Sequence, residues 1–165
     1  MPLSTDQTKK LFDYCKDALE SAAWSAPNPD EKEPEYTQRV LGPLLKDIVG
    51  STNHQGLVVR YDGSLTPQPV LFGIANHFPD LAVNLYSERI GAVEVKYFDE
   101  FQSGQAYLTA FGQSVLYSSL GYAWSIVVLV AKNPNATISK GSIEKINLKL
   151  YGINNYLICK SLIDK

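Results

Sequence analysis

The chain has 165 residues, a formal net charge of −2 and two cysteines, with 45% hydrophobic and 19% charged residues. These values are typical of one globular domain spanning residues 1–165, and two cysteines exclude an iron–sulfur centre held by four thiolates. The longest apolar run, from Ala123 to Ala131, is too short to cross a bilayer. The N-terminus also lacks the basic-then-apolar order of a signal peptide, so we expect an intracellular protein with no membrane partner.

The N-terminal third of the chain predicts two helices. Ser4 and Gln7 have the spacing of a capping box, which predicts a first helix that runs to about Ala22. A second helical pattern extends over residues 34–49. Pro43 lies inside this pattern and predicts a kink or a division there, because proline cannot donate the helical hydrogen bond.

The remaining elements alternate between strands and helices. A strand is predicted at residues 57–61, and a turn-rich insertion over 62–74 is of the kind that contacts substrate when it lies near a cleft. Two short apolar runs follow, then a helix over 104–120 and a buried strand over 124–131. A helix over 142–150 and a final strand complete the prediction of an α/β fold with a central mixed sheet flanked by helices.

Side-chain alternation in the two apolar runs predicts a cluster of charged groups. In the run 81–85 the large aliphatic residues occupy odd positions, so Asp80 points to the opposite face of the strand. In the run 90–97 the valines at positions 93 and 95 are also odd, so Glu94 and Lys96 share the other face. Burying both aliphatic sets together therefore places all three charged side chains on one face.

The connection between these runs fixes their register. Ser87-Glu88-Arg89 is polar and predicts a hairpin turn, and a register centred on Ser87 sets Leu81 opposite Val93 and Asp80 opposite Glu94. A slip of one residue would expose one aliphatic set. The residue numbers of each facing pair must therefore add up to an even number, as they do for Leu81 and Val93.

Two carboxylates this close repel one another unless a cation or a proton lies between them. Oxygen ligands favour Mg²⁺, or Mn²⁺ in its place, and Lys96 is placed to orient a water or to balance charge on a phosphoryl group. The alternative is that the Glu-x-Lys pair is a solvated strand face. Spacing alone is weak evidence, because Asp30-Glu31-Lys32 also fits an acid-x-Lys pattern in a Pro-rich stretch that cannot be a strand.

Pro79-Asp80 followed by Glu94-Val95-Lys96 resembles the signature of the PD-(D/E)XK nuclease superfamily. The resemblance implies a restriction-endonuclease-like αβββαβ core over about residues 33–131. It also implies a Mg²⁺-dependent deoxyribonuclease, in which Asp80 and Glu94 are catalytic and hold the metal, the Val95 carbonyl adds a ligand and Lys96 acts on the attacking water.

Two further matches extend this resemblance. Gln113 and Tyr117 look like the Gln-xxx-Tyr element of some branches, where the pair lines the active site, and the i, i+4 spacing does place them on one helix face. The alternative is that Tyr117 is a core residue and Gln113 a surface residue. Glu35 looks like the glutamate of the first family helix that completes the metal site, and Glu33 competes for this role.

The rival prediction is a non-catalytic nucleic-acid-binding or assembly subunit that retains the nuclease fold. The acidic net charge favours it, since proteins that grip nucleic acid unaided are commonly basic. Basic residues do accumulate after residue 132, as either a phosphate-facing surface or a solvated helix face, at Lys140, Lys145, Lys149 and Lys160. A homodimer would supply two sites for cutting two strands, but the sequence identifies no interface and does not distinguish DNA from RNA or internal from end-dependent cutting.

Overall fold

The computed structural model describes residues 2–61, 78–100 and 103–163. It has an α/β architecture in which a five-stranded mixed sheet is flanked by helices, as predicted. The insertion over residues 62–74 lies outside the described residues, so its predicted contact with substrate stays a prediction.

Helix α1 spans Thr5–Ser21 and begins with the predicted capping box. The Ser4 hydroxyl accepts from the Gln7 backbone N–H at 3.2 Å, and the Gln7 side chain accepts from the Ser4 N–H at 2.9 Å. These bonds satisfy two N–H groups that the first helical turn leaves without helical partners. The face of α1 that packs on the sheet is apolar and consists of Leu11, Phe12, Cys15 and Leu19.

The second helical segment is divided near Pro43, as the sequence predicts. Helix α2 spans Glu33–Tyr36, a π-helical turn spans Thr37–Leu41, and helix α3 spans Gly42–Gly50. Pro43 lacks an N–H and its ring crowds the carbonyl four residues earlier, and a one-residue widening of the preceding turn relieves that contact.

The sheet has the strand order β1-β2-β3-β4-β6. Strands β1 (Leu57–Tyr61), β2 (Leu81–Leu85) and β3 (Glu88–Phe98) are antiparallel neighbours, whereas β4 (Trp124–Ala131) and β6 (Asn155–Cys159) continue the sheet in parallel. Helix α4 (Ser103–Ser119) connects β3 to β4. Helix α5 (Lys140–Leu150) and a 3₁₀ turn (Tyr151–Ile153) lead to β6. Two short strands, β5 (Ile138–Ser139) and β7 (Leu162–Ile163), form a separate parallel pair.

The two faces of the sheet are buried against different helices. On one face, Leu81, Val83, Val93 and Val95 pack with α1 and α3 in the largest core cluster. On the other face, Ala82 and Ala92 pack with α4, and the far end of the sheet packs with α5. The predicted alternation is thus confirmed, because Glu94 and Lys96 have the same parity as Ala92.

The hairpin between β2 and β3 has the predicted register at its far end but not at its turn. Leu81 pairs with Val93, as expected. The predicted three-residue turn is wrong, because Glu88 and Arg89 belong to β3 and the turn consists of Tyr86 and Ser87, with Tyr86 at φ +53°. The register shifts by one residue within the hairpin.

A β-bulge at Ile90 reconciles the short turn with the buried faces. Ile90 lies between Arg89, which pairs with Asn84, and Gly91, which pairs with Val83. A two-residue turn alone would shift the pairing by one residue and turn one aliphatic set away from the core. The extra residue restores the register in which both sets face the core.

No helix among residues 2–61, 78–100 and 103–163 is long and apolar enough to cross a membrane.

The bulge is followed by a close contact that only glycine allows. A Cβ placed on Gly91 would lie 2.1 Å from the ring of Trp124, which is fully buried in the neighbouring strand. We therefore expect Gly91→Ala to lower the free energy of unfolding by roughly 2 kcal/mol or more through overpacking. The matched control is Gly50→Ala at the exposed end of α3, where a Cβ meets nothing within 4 Å. Urea unfolding of both variants measures the difference, and equal stabilities would contradict the packing of Trp124 on Gly91.

Candidate functional site

The site lies where β3 extends beyond the end of β2 and leaves backbone N–H groups without a strand partner. Two carboxylates occupy these positions. The Val95 N–H donates to Asp80 Oδ2 at 2.7 Å, and the Tyr97 N–H donates to Glu33 Oε2 at 2.9 Å. Since the N–H and C=O of one strand residue point to the same neighbour, the Val95 carbonyl also faces this edge. The carboxylates of Asp80, which directly precedes β2, and of Glu33 in α2 therefore meet at the free edge of β3.

Glu94 is the most buried charged group of the site, with 3% of its surface exposed. Lys96 Nζ lies 2.8 Å from Glu94 Oε1, and the Tyr117 hydroxyl donates to Glu94 Oε2 at 2.5 Å. A buried carboxylate is costly unless it is paired and hydrogen-bonded, and here each oxygen has one such partner.

Lys96 contacts two carboxylates at once. Besides Glu94, its ammonium group lies 3.1 Å from Glu33 Oε1. Burial by itself acts to lower the pKa of Lys96, but the charges of Glu94 and Glu33 outweigh burial and hold the pKa above its ordinary value. Lys96 is therefore a cation at neutral pH and donates hydrogen bonds rather than accepting protons.

Asp80 lies in a partly buried environment that disfavours its charged form. Burial, followed by the charge of Glu94, raises the pKa of Asp80 to about 7, although the hydrogen bond from Val95 opposes this shift. Asp80 directly precedes Leu81 and Glu94 directly follows Val93, and these two neighbours are paired in β2 and β3. A bound cation would relieve the repulsion between the two carboxylates.

Helix α4 supplies Tyr117 and is fixed to the sheet by a buried polar network. The Ser125 hydroxyl donates to the Asn155 side-chain oxygen at 2.8 Å, and the Asn155 amide reaches the Ser114 carbonyl on α4. Burial and the adjacent charge of Glu94 raise the pKa of Tyr117 well above its ordinary value, so its hydroxyl stays protonated and donates. Tyr117 is thus both a core residue and a partner of Glu94.

The structure places Gln113 one helical turn before Tyr117. Its side-chain oxygen is buried and has no hydrogen-bond donor among the described residues. An amide oxygen without a partner is costly, and it is a position that a substrate group or a water would satisfy. The predicted role of Gln113 in the site stays a prediction.

Glu33, rather than the preferred Glu35, reaches the site from α2. Glu35 is exposed, and its carboxylate accepts from the Lys32 N–H at 3.0 Å. This is the contact of a glutamate at the third position of a helix, which turns back to the N-cap. Pro34 indicated a helix start near this point, but the helix begins one residue before it, at Glu33, and this places Glu35 at the third position.

The oxygen atoms at this edge suit a hard cation with few protein ligands. No group of three His, Cys, Asp or Glu side chains that could hold a metal occurs in the described ranges, and Glu33 is engaged by Lys96 and Tyr97. Mg²⁺, however, commonly takes one or two carboxylates and keeps several waters. Asp80, Glu94 and the Val95 carbonyl are a donor set of that kind, so the residues fit Mg²⁺ or Mn²⁺.

The C-terminal lysines do not form one continuous surface. Lys145 and Lys149 are exposed on one side of α5. Lys160 instead lies 4.8 Å from the centre of the Trp24 ring and donates to the Glu20 carbonyl at the end of α1. The predicted phosphate-facing surface is therefore reduced to the lysines of α5.

The raised pKa of Asp80 makes stability depend on pH in a defined direction. The folded protein binds this proton more tightly than the unfolded chain, so the stabilisation is complete below about pH 4 and is lost as the pH rises through about 7. In EDTA, Asp80→Asn should leave stability near pH 4 almost unchanged and raise it at pH 8 by roughly 4 kcal/mol. Thermal melts across this pH range measure the effect.

Asp47→Asn is the matched control, because Asp47 is an exposed acid on α3. Its melting temperature should follow that of the wild type at every pH. A wild-type stability that does not fall between pH 4 and pH 8 relative to Asp80→Asn would contradict the repulsion between Asp80 and Glu94.

In comparisons with known proteins, no family model, curated protein or solved structure matches the chain. The PD-(D/E)XK nuclease superfamily thus remains a resemblance carried by the residues of the site.

Proposed function

We propose that the protein is a metal-dependent nuclease that hydrolyses phosphodiester bonds of nucleic acid. The observation that carries the proposal is the convergence of Asp80, Glu94 and Lys96 at the free edge of β3, with Lys96 paired to Glu94 and the Val95 N–H bonded to Asp80. Two carboxylates and a cation at one edge are groups that can support metal-assisted hydrolysis of a phosphodiester.

Each side chain has a separate part in the proposed reaction. Asp80, Glu94 and the Val95 carbonyl would hold Mg²⁺ or Mn²⁺, which when bound polarises a phosphoryl oxygen and acidifies a water. Lys96 is held as a cation and donates to the attacking water or to the phosphoryl oxygens, where negative charge develops in the transition state. Tyr117 fixes the orientation of Glu94.

The order of elements supports this proposal. Between α2 and β4 the described elements follow the order helical segment, three strands, helix, strand, which is the order of the restriction-endonuclease-like αβββαβ core that the resemblance implies. We take DNA as the substrate because most members of the resembled superfamily cut DNA. In this proposal Glu33 takes the place that Glu35 has in the sequence prediction, since Glu33 contacts Lys96.

Cleavage of circular DNA tests the proposed activity. Circular single-stranded and duplex DNA with Mg²⁺ or Mn²⁺ should be cut by the wild type, and Lys96→Ala should lower the rate by about 100-fold or more because a preorganised cation is lost. Lys10→Ala, which removes an exposed lysine of α1, should cut at the wild-type rate.

Two further variants distinguish the glutamates of α2. Glu33→Gln should lower the rate, because Lys96 loses a charged partner, whereas Glu35→Gln should not. Absence of cutting with either metal, or full activity of Lys96→Ala, would contradict the proposal. Cleavage of linear DNA alone would still support the proposed chemistry and would show that the enzyme acts from DNA ends.

The second candidate is a non-catalytic nucleic-acid-binding or assembly subunit. It is favoured by the net charge of −2 and by the way Glu33 and Glu94 both neutralise Lys96, the lysine of the site. The pair of acids Asp80 and Glu94 argues against this candidate. A subunit without catalysis gains nothing from two neighbouring carboxylates, because their repulsion lowers the stability of the fold.

Metal binding measured by thermal melting separates the two candidates. Millimolar Mg²⁺ or Mn²⁺ should raise the melting temperature of the nuclease, because a ligand that binds only the folded state stabilises it. The gain should be lost in Asp80→Ala and retained in Asp47→Ala. A wild-type melting temperature that does not respond to either metal would favour the non-catalytic subunit.

A further inference from the structure

Arg60 is a half-buried arginine without a partner in the described part of the chain. Its Nε atom is buried and has no hydrogen-bond acceptor, and no ion pair between described residues involves it. The other two arginines of the chain do have partners. Arg39 donates to both carboxylate oxygens of Glu31, and Arg89 donates to a backbone carbonyl at 2.6 Å. Because a guanidinium group removed from water is costly without an acceptor, Arg60 is placed for an acceptor that the described chain does not supply.

This arginine lies on the face of the sheet that carries the candidate site. Arg60 pairs with Ala82 across β1 and β2, and Ala82 pairs with Ala92 in β3. Residues that pair directly share a face of the sheet, so Arg60 is on the side of Ala92 and Glu94. Its neighbour Tyr61 packs in the core on the opposite face.

The strand register also places Arg60 within reach of a substrate at the site. Asp80 lies two residues before Ala82 along the chain, so Arg60 and Asp80 are diagonal neighbours across β1 and β2. Diagonal positions on adjacent strands are about 7–8 Å apart, and long side chains bridge that distance. Asp80 itself turns towards β3, where it accepts from the Val95 N–H. The guanidinium group is therefore left for a group of the substrate.

The strip of sheet around Arg60 is open and contains a second polar group without a partner. Val58, the β1 residue on the same face, is 38% exposed. Asn84, which pairs with Val58, is buried, and its side-chain oxygen has no hydrogen-bond donor in the described ranges. A donor and an acceptor without partners on one open strip indicate a surface for a polar ligand.

The charges of the site indicate which ligand group Arg60 would bind. Lys96, the cation at the centre of the site, is held by Glu94 and Glu33. A nucleic-acid strand adds one negative charge with every phosphate. Since Arg60 has no carboxylate partner among the described residues, its positive charge is available to such a phosphate.

We propose that Arg60 binds a backbone phosphate of the nucleic-acid substrate, next to the phosphate that is cleaved. This inference rests on the proposed nuclease function and assigns a substrate-binding residue to it. The cleaved phosphate belongs at the oxygens on the β3 side of Asp80, whereas Arg60 extends from β1, so the two places hold neighbouring phosphates of one strand. A guanidinium group suits this contact, because its planar fork donates two hydrogen bonds to one phosphate.

Binding in the absence of metal tests the contact separately from the nuclease function. In EDTA, fluorescence anisotropy with a labelled single-stranded oligonucleotide measures the affinity over a range of salt concentrations. Arg60→Met should bind about tenfold more weakly than the wild type, because a hydrogen bond from a charged group to a phosphate is lost. The slope of the logarithm of the binding constant against the logarithm of the salt concentration should become shallower by about 0.7, the value for one phosphate contact on a single strand.

Lys46→Met is the matched control. Lys46 lies 4.6 Å from the centre of the Tyr61 ring, so it is a cation beside β1 on the opposite face of the sheet. Its substitution removes one positive charge, as Arg60→Met does, and should leave the affinity and the salt slope at the wild-type values. Arg60→Met should melt at or above the wild-type temperature, because methionine keeps the apolar stem and the guanidinium group has no internal partner to lose.

Cleavage of a modified oligonucleotide locates the phosphate. With Mg²⁺ and a strand that carries one neutral methylphosphonate, the wild type should cut one of the two bonds beside the neutral group about tenfold more slowly than the other bonds. Arg60→Met should not show this difference, because it has no contact with that phosphate to lose.

The results separate this inference from the proposed function. Binding that depends on Arg60, without cleavage by the wild type, would contradict the nuclease and support the phosphate contact. Equal affinities and salt slopes of the wild type and Arg60→Met, or a wild type that does not bind the oligonucleotide, would overturn the inference. A lower melting temperature of Arg60→Met, or the same cleavage pattern in both proteins, would also overturn it.

Discussion

The candidate site depends on the compensation of one buried carboxylate. Glu94 is almost fully removed from solvent, and its charge is balanced by Lys96 from the same strand and by the Tyr117 hydroxyl from α4. Removing either partner would leave a buried charge incompletely satisfied, which costs more than the interaction itself contributes. The positions of Lys96 and α4 are therefore tied to Glu94. Burial and then the charge of Glu94 raise the pKa of Asp80, and the Val95 hydrogen bond and the attraction of Lys96 oppose this rise without offsetting it.

The sequence predicts this arrangement because alternation in strands is a strict rule. Once the aliphatic residues of β2 and β3 share a face, Glu94 and Lys96 must share the other one. The turn was less predictable. Tyr86 adopts a positive φ that tyrosine seldom takes, and the bulge at Ile90 then corrects the register. The alternation of aliphatic residues thus fixes how β2 pairs with β3, and the turn and the bulge take the backbone conformations that this pairing needs.

Helix α2 shows where sequence reasoning reaches its limit. Glu33 and Glu35 have the same chemistry and lie two residues apart, and their roles differ only through the position of the first helical turn. Glu35 turns back to the Lys32 N–H, whereas Glu33 reaches the Tyr97 N–H across the chain. That second contact depends on where α2 docks on the sheet. Docking is a tertiary property, so no local pattern in the sequence could have identified it.

The acidic net charge bears directly on the proposed substrate. Affinity for nucleic acid comes largely from cations that contact phosphates, and Lys96, the cation of the site, is already paired with Glu94 and Glu33. A metal ion held by Asp80 and Glu94 would add positive charge at the free edge of β3, where the proposed reaction takes place. In the proposed nuclease the metal would therefore have two effects, because it would relieve the repulsion between the two carboxylates and would attract the phosphate group of the substrate.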